Sequence, residues 1–358
     1  MPRTKPQTEK KTKGSKVTPK SKLVPSGSTL LNLALSDNPF GGYLRGTMVN
    51  TVGDSSSGKT FLAMSTFAEM GLMRSLDPYE PVFDDAEHAN AFDMPHLFGK
   101  KIASRIQPPA IDKEGLPVHS NTIEDFHFHV TQHLKKGPCI YVTDSMDALT
   151  CEEEQDKAEE IMKAREKGKD VSGSYGTAKA KANSQILRLI VGDLEKTDSF
   201  LNIISQTRDR IGASFMQSKK IRSGGHALEF YGTHVLWLAK LGKITVTRKD
   251  HKYTIGVNCR VRVSKNKLTG KVREVEFPIY YDYGVDDIGS CTDWMVEHGV
   301  WVKKGKVIDA GDFGEGSRKD IIRNIEDNDL EKDMKNAVGE AWQEIEESLR
   351  SGRKRKYL

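Results

Sequence analysis

Residues 53–60 read Gly53-Asp54-Ser55-Ser56-Ser57-Gly58-Lys59-Thr60, a G-x-x-x-x-G-K-T phosphate-binding loop. Its two glycines let the backbone N–H groups of Asp54, Ser55, Ser56 and Ser57 close around phosphate oxygens. Lys59 has the reach for β- and γ-phosphates, and the Thr60 hydroxyl is a ligand for Mg²⁺. Thr47–Val52 reads as a short buried strand, and Phe61–Met73 as a helix. Strand, glycine loop and helix in that order aim a helix N-terminus, Phe61 included, at the phosphates. The loop alone implies ATP or GTP with Mg²⁺.

The remainder is consistent with a protein built around one large core. The chain has 358 residues, 37% of them hydrophobic and 29% charged. That length suits a core plus a small appendage. The sequence has no apolar run long enough to span a membrane and no apolar segment behind its basic N-terminus that would read as a secretory signal. Cys139, Cys151, Cys259 and Cys291 are scattered, which argues for reduced thiols in the cytoplasm and against a zinc ribbon. The net charge of +5 is uneven. Residues 1–22 carry eight Lys/Arg and one Glu, residues 350–358 carry five Lys/Arg and no acid, and the stretch between is net −7. Both tails read as disordered, and basic tails commonly contact nucleic-acid phosphates.

From Leu23 to about Tyr283 the pattern alternates strand and helix. Strands are expected at Thr47–Val52, Pro81–Phe83, Cys139–Thr143 and Leu201–Ser205. Helices are expected at Ser28–Leu35, Phe61–Met73, Thr122–Leu134 and Gly176–Lys196. This alternation predicts an α/β fold with a mostly parallel sheet between helices. Thr233–Lys240, Lys243–Arg248, Asn258–Ser264 and Arg273–Tyr280 then read as further, antiparallel strands, with a hairpin turn at Leu268-Thr269-Gly270. Residues 286–349 read as a small, mainly helical C-terminal unit following a core over 23–285. Cys151–Gly173 is highly charged and fits either a surface loop with a helical part or a solvated helix face.

A phosphate loop needs a carboxylate at the end of a neighbouring strand. Cys139-Ile140-Tyr141-Val142-Thr143-Asp144 supplies one, with Asp144 placed to hold Mg²⁺ through water opposite Thr60. Hydrolysis also needs a group that orients or deprotonates water. Asp84, Asp85 and Glu87 all lie just beyond a second strand, at the edge where ligands bind, and spacing does not choose among them.

These blocks together resemble the RecA-type recombinases over roughly residues 23–350. Gly53–Thr60 is similar to the family's Walker A, and Val142-Thr143-Asp144-Ser145 to its Walker B. Asp85-Ala86-Glu87-His88-Ala89 is similar to D-A-E-H-A, whose Glu is catalytic; the resemblance therefore assigns Glu87. Ser205-Gln206-Thr207-Arg208 with Ile211-Gly212 resembles N-Q-I-R…I-G, which implies that Gln206 senses the γ-phosphate and couples it to a DNA-binding loop. Gly224-Gly225-His226-Ala227-Leu228-Glu229-Phe230-Tyr231 resembles the end of that loop. Lys265-Asn266-Lys267 resembles the K-N-K whose lysines reach the neighbouring subunit's ATP. His298-Gly299-Val300-Trp301 is similar to the opening of the family's C-terminal domain.

The residue types support these roles on their own. Ala213–Gly225 holds Lys219, Lys220 and Arg222 among Gly, Ser and Gln, with Arg208 and Arg210 just before it. Such a basic loop suits a nucleic-acid backbone. Ser214, Gly224 and Gly225 complete the expected contact surface, and Phe215 or Met216 could wedge between bases. Lys265 and Lys267 alternate at a strand end and face the same way. Two cations at a neighbour's γ-phosphate would make hydrolysis depend on assembly. His129 and His133 are four apart on a helix but have no acidic or Cys partner at metalloprotease spacing, so they read as structural; Trp237 and Trp301 read as core anchors.

The chain departs from the family in places. Only the basic tail precedes the core, which implies filament contacts that differ, are weaker, or are made by this tail ordering on assembly, and a phage- or virus-encoded member acting in its host's cytoplasm. Asn90-Ala91-Phe92-Asp93 replaces the usual Leu-Asp-Pro, Ser205 stands where Asn is usual, and the C-terminus is basic rather than acidic. The expected activity is DNA-dependent ATP hydrolysis coupled to strand exchange, in filaments on single-stranded DNA that pair with homologous duplex. A hexameric ring helicase on the same core and a non-catalytic mediator that binds ATP and DNA are the alternatives.

Overall fold

The computed structural model describes residues 22–90, 92–167, 178–209, 220–222 and 227–354. The N-terminal tail through residue 21, the end of the C-terminal tail from 355, and Arg210, Ser214, Phe215, Met216, Lys219, Gly224 and Gly225 lie outside the described residues.

The main sheet contains β1 (Thr47–Gly53), β2 (Glu80–Asp84), β3 (Cys139–Thr143), β4 (Phe200–Asp209), β5 (Lys220–Arg222), β6 (His234–Arg248), β7 (His251–Asn266), β8 (Arg273–Tyr280) and β9 (Gly284–Val285). Its order is β9-β8-β7-β6-β1-β4-β3-β2, with β5 paired to β4 off this path. The five strands from β6 to β2 are mutually parallel, and β7, β8 and β9 run antiparallel. The expected α/β class and mostly parallel sheet are what the chain adopts.

The longer helices are α1 (Thr29–Ser36), α2 (Lys59–Leu72), α3 (Ile123–Lys136), α4 (Glu152–Glu166), α5 (Ala178–Thr197), α6 (Asp287–Glu297), α7 (Arg318–Asp327) and α8 (Glu331–Ser348). Period-two alternation divides each central strand between two cores. Val49, Ile140, Val142 and Ile204 pack with α1, α2 and the C-terminal helices. Met48, Tyr141, Leu201 and Ile203 pack with α3 and α5 on the other face. Trp301 is buried in the first core as expected, and Trp237 is half-buried.

Three expectations need correction. Thr233–Lys240 and Lys243–Arg248 are one strand, because a register shift between Lys240 and Gly242 absorbs the apparent break. β7 starts at His251, seven residues before Asn258, after a two-residue turn in which Lys249 and Asp250 have φ of 46° and 63°. Positive φ at both positions is what a right-twisted hairpin requires. Part of the expected basic loop is a strand: Lys220–Arg222 pairs antiparallel with Thr207–Asp209. That pairing satisfies backbone groups where β4 runs beyond its neighbours.

The C-terminal segment adds a small sheet of Val302–Lys304, Val307–Asp309 and Glu315–Gly316 to its helices. Arg273 ties this segment to the sheet. It pairs with Asp37 at 2.6 Å and with Glu346, and its guanidinium lies 5.1 Å from the Trp342 ring. Helix α4 buries none of its residues, and its Lys157–Glu153 and Lys163–Glu159 pairs are spaced i,i+4. Among the described residues no helix is long and apolar enough to cross a membrane.

Candidate nucleotide site and its neighbours

The phosphate loop joins β1 to α2 through a tight backbone. Ser56 and Gly58 both have positive φ, 58° and 91°. A Cβ on Gly53 would lie 2.6 Å from both the Leu238 carbonyl and Ser57 Oγ, so only glycine fits there. Gly58 caps α2 without a side-chain hydrogen bond, which leaves the N–H groups of the first turn free for an anion. The Phe61 ring is buried against Phe92 and Phe98, which leaves its main chain for the loop side.

Lys59 is buried and its Nζ donates to the Asp54 carbonyl at 2.7 Å. Burial lowers its pKa, opposed by Asp144, Glu87 and Asp54. The Thr60 hydroxyl donates to Asp144 Oδ2 at 2.5 Å. Burial pushes Asp144 up to about 6, with Glu87 adding to the shift and the Thr60 hydrogen bond and Lys59 opposing it. A buried carboxyl in that state gains by exchanging its proton for a cation. Two hard oxygen donors at this spacing therefore fit Mg²⁺.

The three carboxylates beyond β2 have different fates. Asp84 is fully buried and hydrogen-bonded on both oxygens. Asp85 accepts from the Ala89 and Asn90 amides at 3.3 and 3.0 Å, closing a turn. Glu87 is exposed, lining a cleft of about 390 Å³ with Ala86, Asp147, Ala148, Gln206 and Thr207. Its Oε1 accepts from Ser145 Oγ at 2.5 Å and from Gln206 Nε2 at 2.7 Å. Gln206 sits beside Gly53 in the β1–β4 register. β4 then continues as the ribbon that carries Arg208 opposite Ile221 and Thr207 opposite Arg222.

Sequence reasoning missed several participants. Asp147 accepts the Gln206 amide at 2.5 Å, and Thr207 Oγ1 donates to Asp54. Ser205, at the position of the usual Asn, accepts from Asn50 Nδ2 at 2.9 Å. A polar run at the carboxyl end of β3 was the available signal for Asp147.

Lys265 and Lys267 are not at this cleft. Lys265 pairs with Val235, which pairs with Asn50, and the Lys267 amide bonds to Thr233, whose amide bonds to Met48. The two lysines therefore lie two strands across from β1 and about 10–16 Å back from Gly53 along it. Both ammonium groups cap carbonyls of the short helix Ala227–Tyr231: Lys265 on Glu229 and Phe230, Lys267 on Phe230 at 3.3 Å. His133 is held by Glu80 at 2.7 Å and the Pro109 carbonyl at 2.8 Å, and His129 by Ser120 at 2.9 Å.

The family described as the RecA N-terminal domain matches residues 10–286. Among curated relatives, the protein named RecA from Caulobacter vibrioides is 30% identical over 333 residues, 92% of this chain and 84% of that one. RecA of Clavibacter michiganensis is 30% identical over 85% of this chain and 76% of its own. RecA of Brucella canis is 31% identical over 79% and 69%. With a family match across most of its length and relatives at this level over most of theirs, the chain belongs to the RecA family.

Proposed function

We propose that this protein is a DNA-dependent ATPase of the recombinase type, which assembles on single-stranded DNA and pairs it with homologous duplex. The observation that carries this reading is the hydrogen bond from Gln206 to Glu87. It joins a carboxylate suited to water activation to the strand that leads into the basic segment 208–225.

The phosphate loop grips ATP through the amides of Asp54–Gly58 and the first turn of α2, with Lys59 moving from the Asp54 carbonyl to the phosphates. Mg²⁺, when bound by Thr60 and through water by Asp144, neutralises phosphate charge. Glu87 accepts a proton from water as the water oxygen bonds to the γ-phosphorus and the bond to the ADP oxygen breaks. Gln206 reports the γ-phosphate to the ribbon. Arg208, Arg210, Lys219, Lys220 and Arg222 bind the DNA backbone, with Ser214, Phe215, Met216, Gly224 and Gly225 shaping the contact. Lys265 and Lys267 leave their helix carbonyls and act on a neighbouring copy's ATP. Residues 23–285 form the core that does this, and 286–349 the C-terminal unit.

The test is steady-state ATP hydrolysis with and without single-stranded DNA, for wild type, Glu87→Gln and Lys265→Ala. DNA stimulation with both variants impaired is expected. Hydrolysis indifferent to DNA would sink the recombinase reading; a fully active Lys265→Ala would sink the shared site alone.

A further inference from the structure

A buried polar cluster stands at the root of the segment carrying Glu87. Asp84 ends β2 and is fully buried. Ser120 donates to it twice, from N–H at 2.9 Å and from Oγ at 2.6 Å, and the Tyr141 hydroxyl donates at 3.0 Å. With its hydroxyl hydrogen engaged in the bond to Asp84, Ser120 Oγ accepts from His129 Nδ1 at 2.9 Å. Ser120 is fully buried, so this is no nucleophilic triad. Burial alone would raise the Asp84 pKa, but the nearby His119 ring and the hydrogen bonds from Ser120 and Tyr141 outweigh it and hold the carboxyl below its usual range.

His119 is the member that reaches out of the cluster. Its Nδ1 is 3.7 Å from Asp84 Oδ1, beyond a hydrogen bond. The same nitrogen accepts the Asp85 N–H at 3.1 Å. That amide opens the turn Asp85–His88. The turn closes with the His88 amide on the Asp85 carbonyl at 3.0 Å, and the Glu87 amide bonds to the Asp144 carbonyl at 3.0 Å. His88 is left-handed, with φ of 51°, and its ring meets the His119 ring edge-on at 5.6 Å. Asp85's own carboxylate is engaged with Ala89 and Asn90, so His119 is what holds the first amide of the turn from outside.

We propose that His119 is a positioning residue for Glu87, its Nδ1 lone pair pinning the Asp85 amide and so fixing the turn that aims the Glu87 carboxylate at water. The inference rests on the reading of Glu87 as the base given above. What the pin requires is an acceptor at the Nδ1 position. An Asn amide oxygen falls close to that position, a Gln oxygen lies one carbon further out, and Leu offers none. Loss of the pin lets the carboxylate wander on the scale that costs about 10- to 100-fold in rate.

The test is ATP hydrolysis by the full chain with saturating single-stranded DNA, for wild type, His119→Leu, His119→Asn and Glu87→Gln, with melting curves alongside. His119→Leu should lower kcat about 10- to 100-fold with KM for ATP changed less than about 2-fold, and His119→Asn should restore most of that loss. Equal activity of the Leu and Asn variants, whether both normal or both poor, overturns the pin while an inactive Glu87→Gln keeps the base. A fully active Glu87→Gln overturns both. If His119→Leu does not fold, His119→Asn against His119→Gln carries the same contrast.

Discussion

Asp144→Asn should make the nucleotide-free protein more stable while disabling it. Asp144 is 6% exposed, and burial raises its carboxyl from an ordinary 3.8 to about 6. About two pH units at about 1.36 kcal/mol each bounds the cost of ionising it in the fold at about 3 kcal/mol. The folded state holds this proton more tightly than the unfolded state does. The stability that the protonated Asp144 contributes is thus fully present below the unfolded value and is lost as pH rises through about 6. An amide has no charge to desolvate and can still accept the Thr60 hydroxyl. The variant should therefore gain about 1–3 kcal/mol at about pH 7.5, and the gap should close towards about pH 4. Urea denaturation in EDTA at both pH values reads this directly. With Mg²⁺ and ATP the order should invert, because wild type alone gains the binding free energy. A variant no more stable at about pH 7.5, or a gap unchanged in acid, would refute the desolvation argument.

Three other substitutions test separate parts. Gln206→Ala removes the amide on Glu87 Oε1 and should abolish most of the DNA stimulation of ATP hydrolysis while leaving nucleotide affinity within about 2-fold; retained stimulation would break the proposed link to the ribbon. Asp84→Ala leaves Ser120 and Tyr141 donors unpaired and should cost about 3–5 kcal/mol by denaturant titration. Since the Asp84 pKa is depressed, the stability it contributes is present above the ordinary carboxylate range and is lost as pH falls through the folded value, so the variant's deficit should shrink in strong acid. Arg273→Ala removes one of the two cations shared by Asp37 and Glu346, leaving Lys271 on both, and should cost about 1–3 kcal/mol, with α8 losing hydrogen-exchange protection before the central strands do; uniform loss of protection would count against a local tie.

What was legible in the sequence is what local patterning encodes. Cys139–Thr143 and Arg273–Tyr280 have the expected bounds, the first as a fully buried apolar run and the second as a strand that alternates buried with more exposed residues. The phosphate loop was legible because its backbone demands glycine at fixed positions. What escaped depends on partners far along the chain. Glu87 meets Gln206 across 119 residues and Asp84 meets Ser120 across 36, and neither pairing leaves a local trace. Composition could not show that Asp84, Asp85 and Glu87 would be buried, turn-bound and exposed in turn. The bulge near Gly242 and the Lys249-Asp250 turn were hidden because glycine signals a break and Lys-Asp is an unusual pair for positive φ.

The separation of Lys265 and Lys267 from the phosphate loop gives every copy two unlike ends. A nucleotide that needs both is shared head to tail, and such contacts propagate without closing unless the rotation happens to complete a ring. Any polymer built this way has a polarity. With the shared site proposed above, the copy at one terminus would hold ATP with no lysines over it, so hydrolysis there would lag and the two ends would age differently. On the proposed shared site poisoning would also be local: a Lys265→Ala subunit would silence only the neighbour whose ATP it faces. In mixtures, activity should then fall in direct proportion to the fraction of variant, where a concerted ring would fail far more steeply.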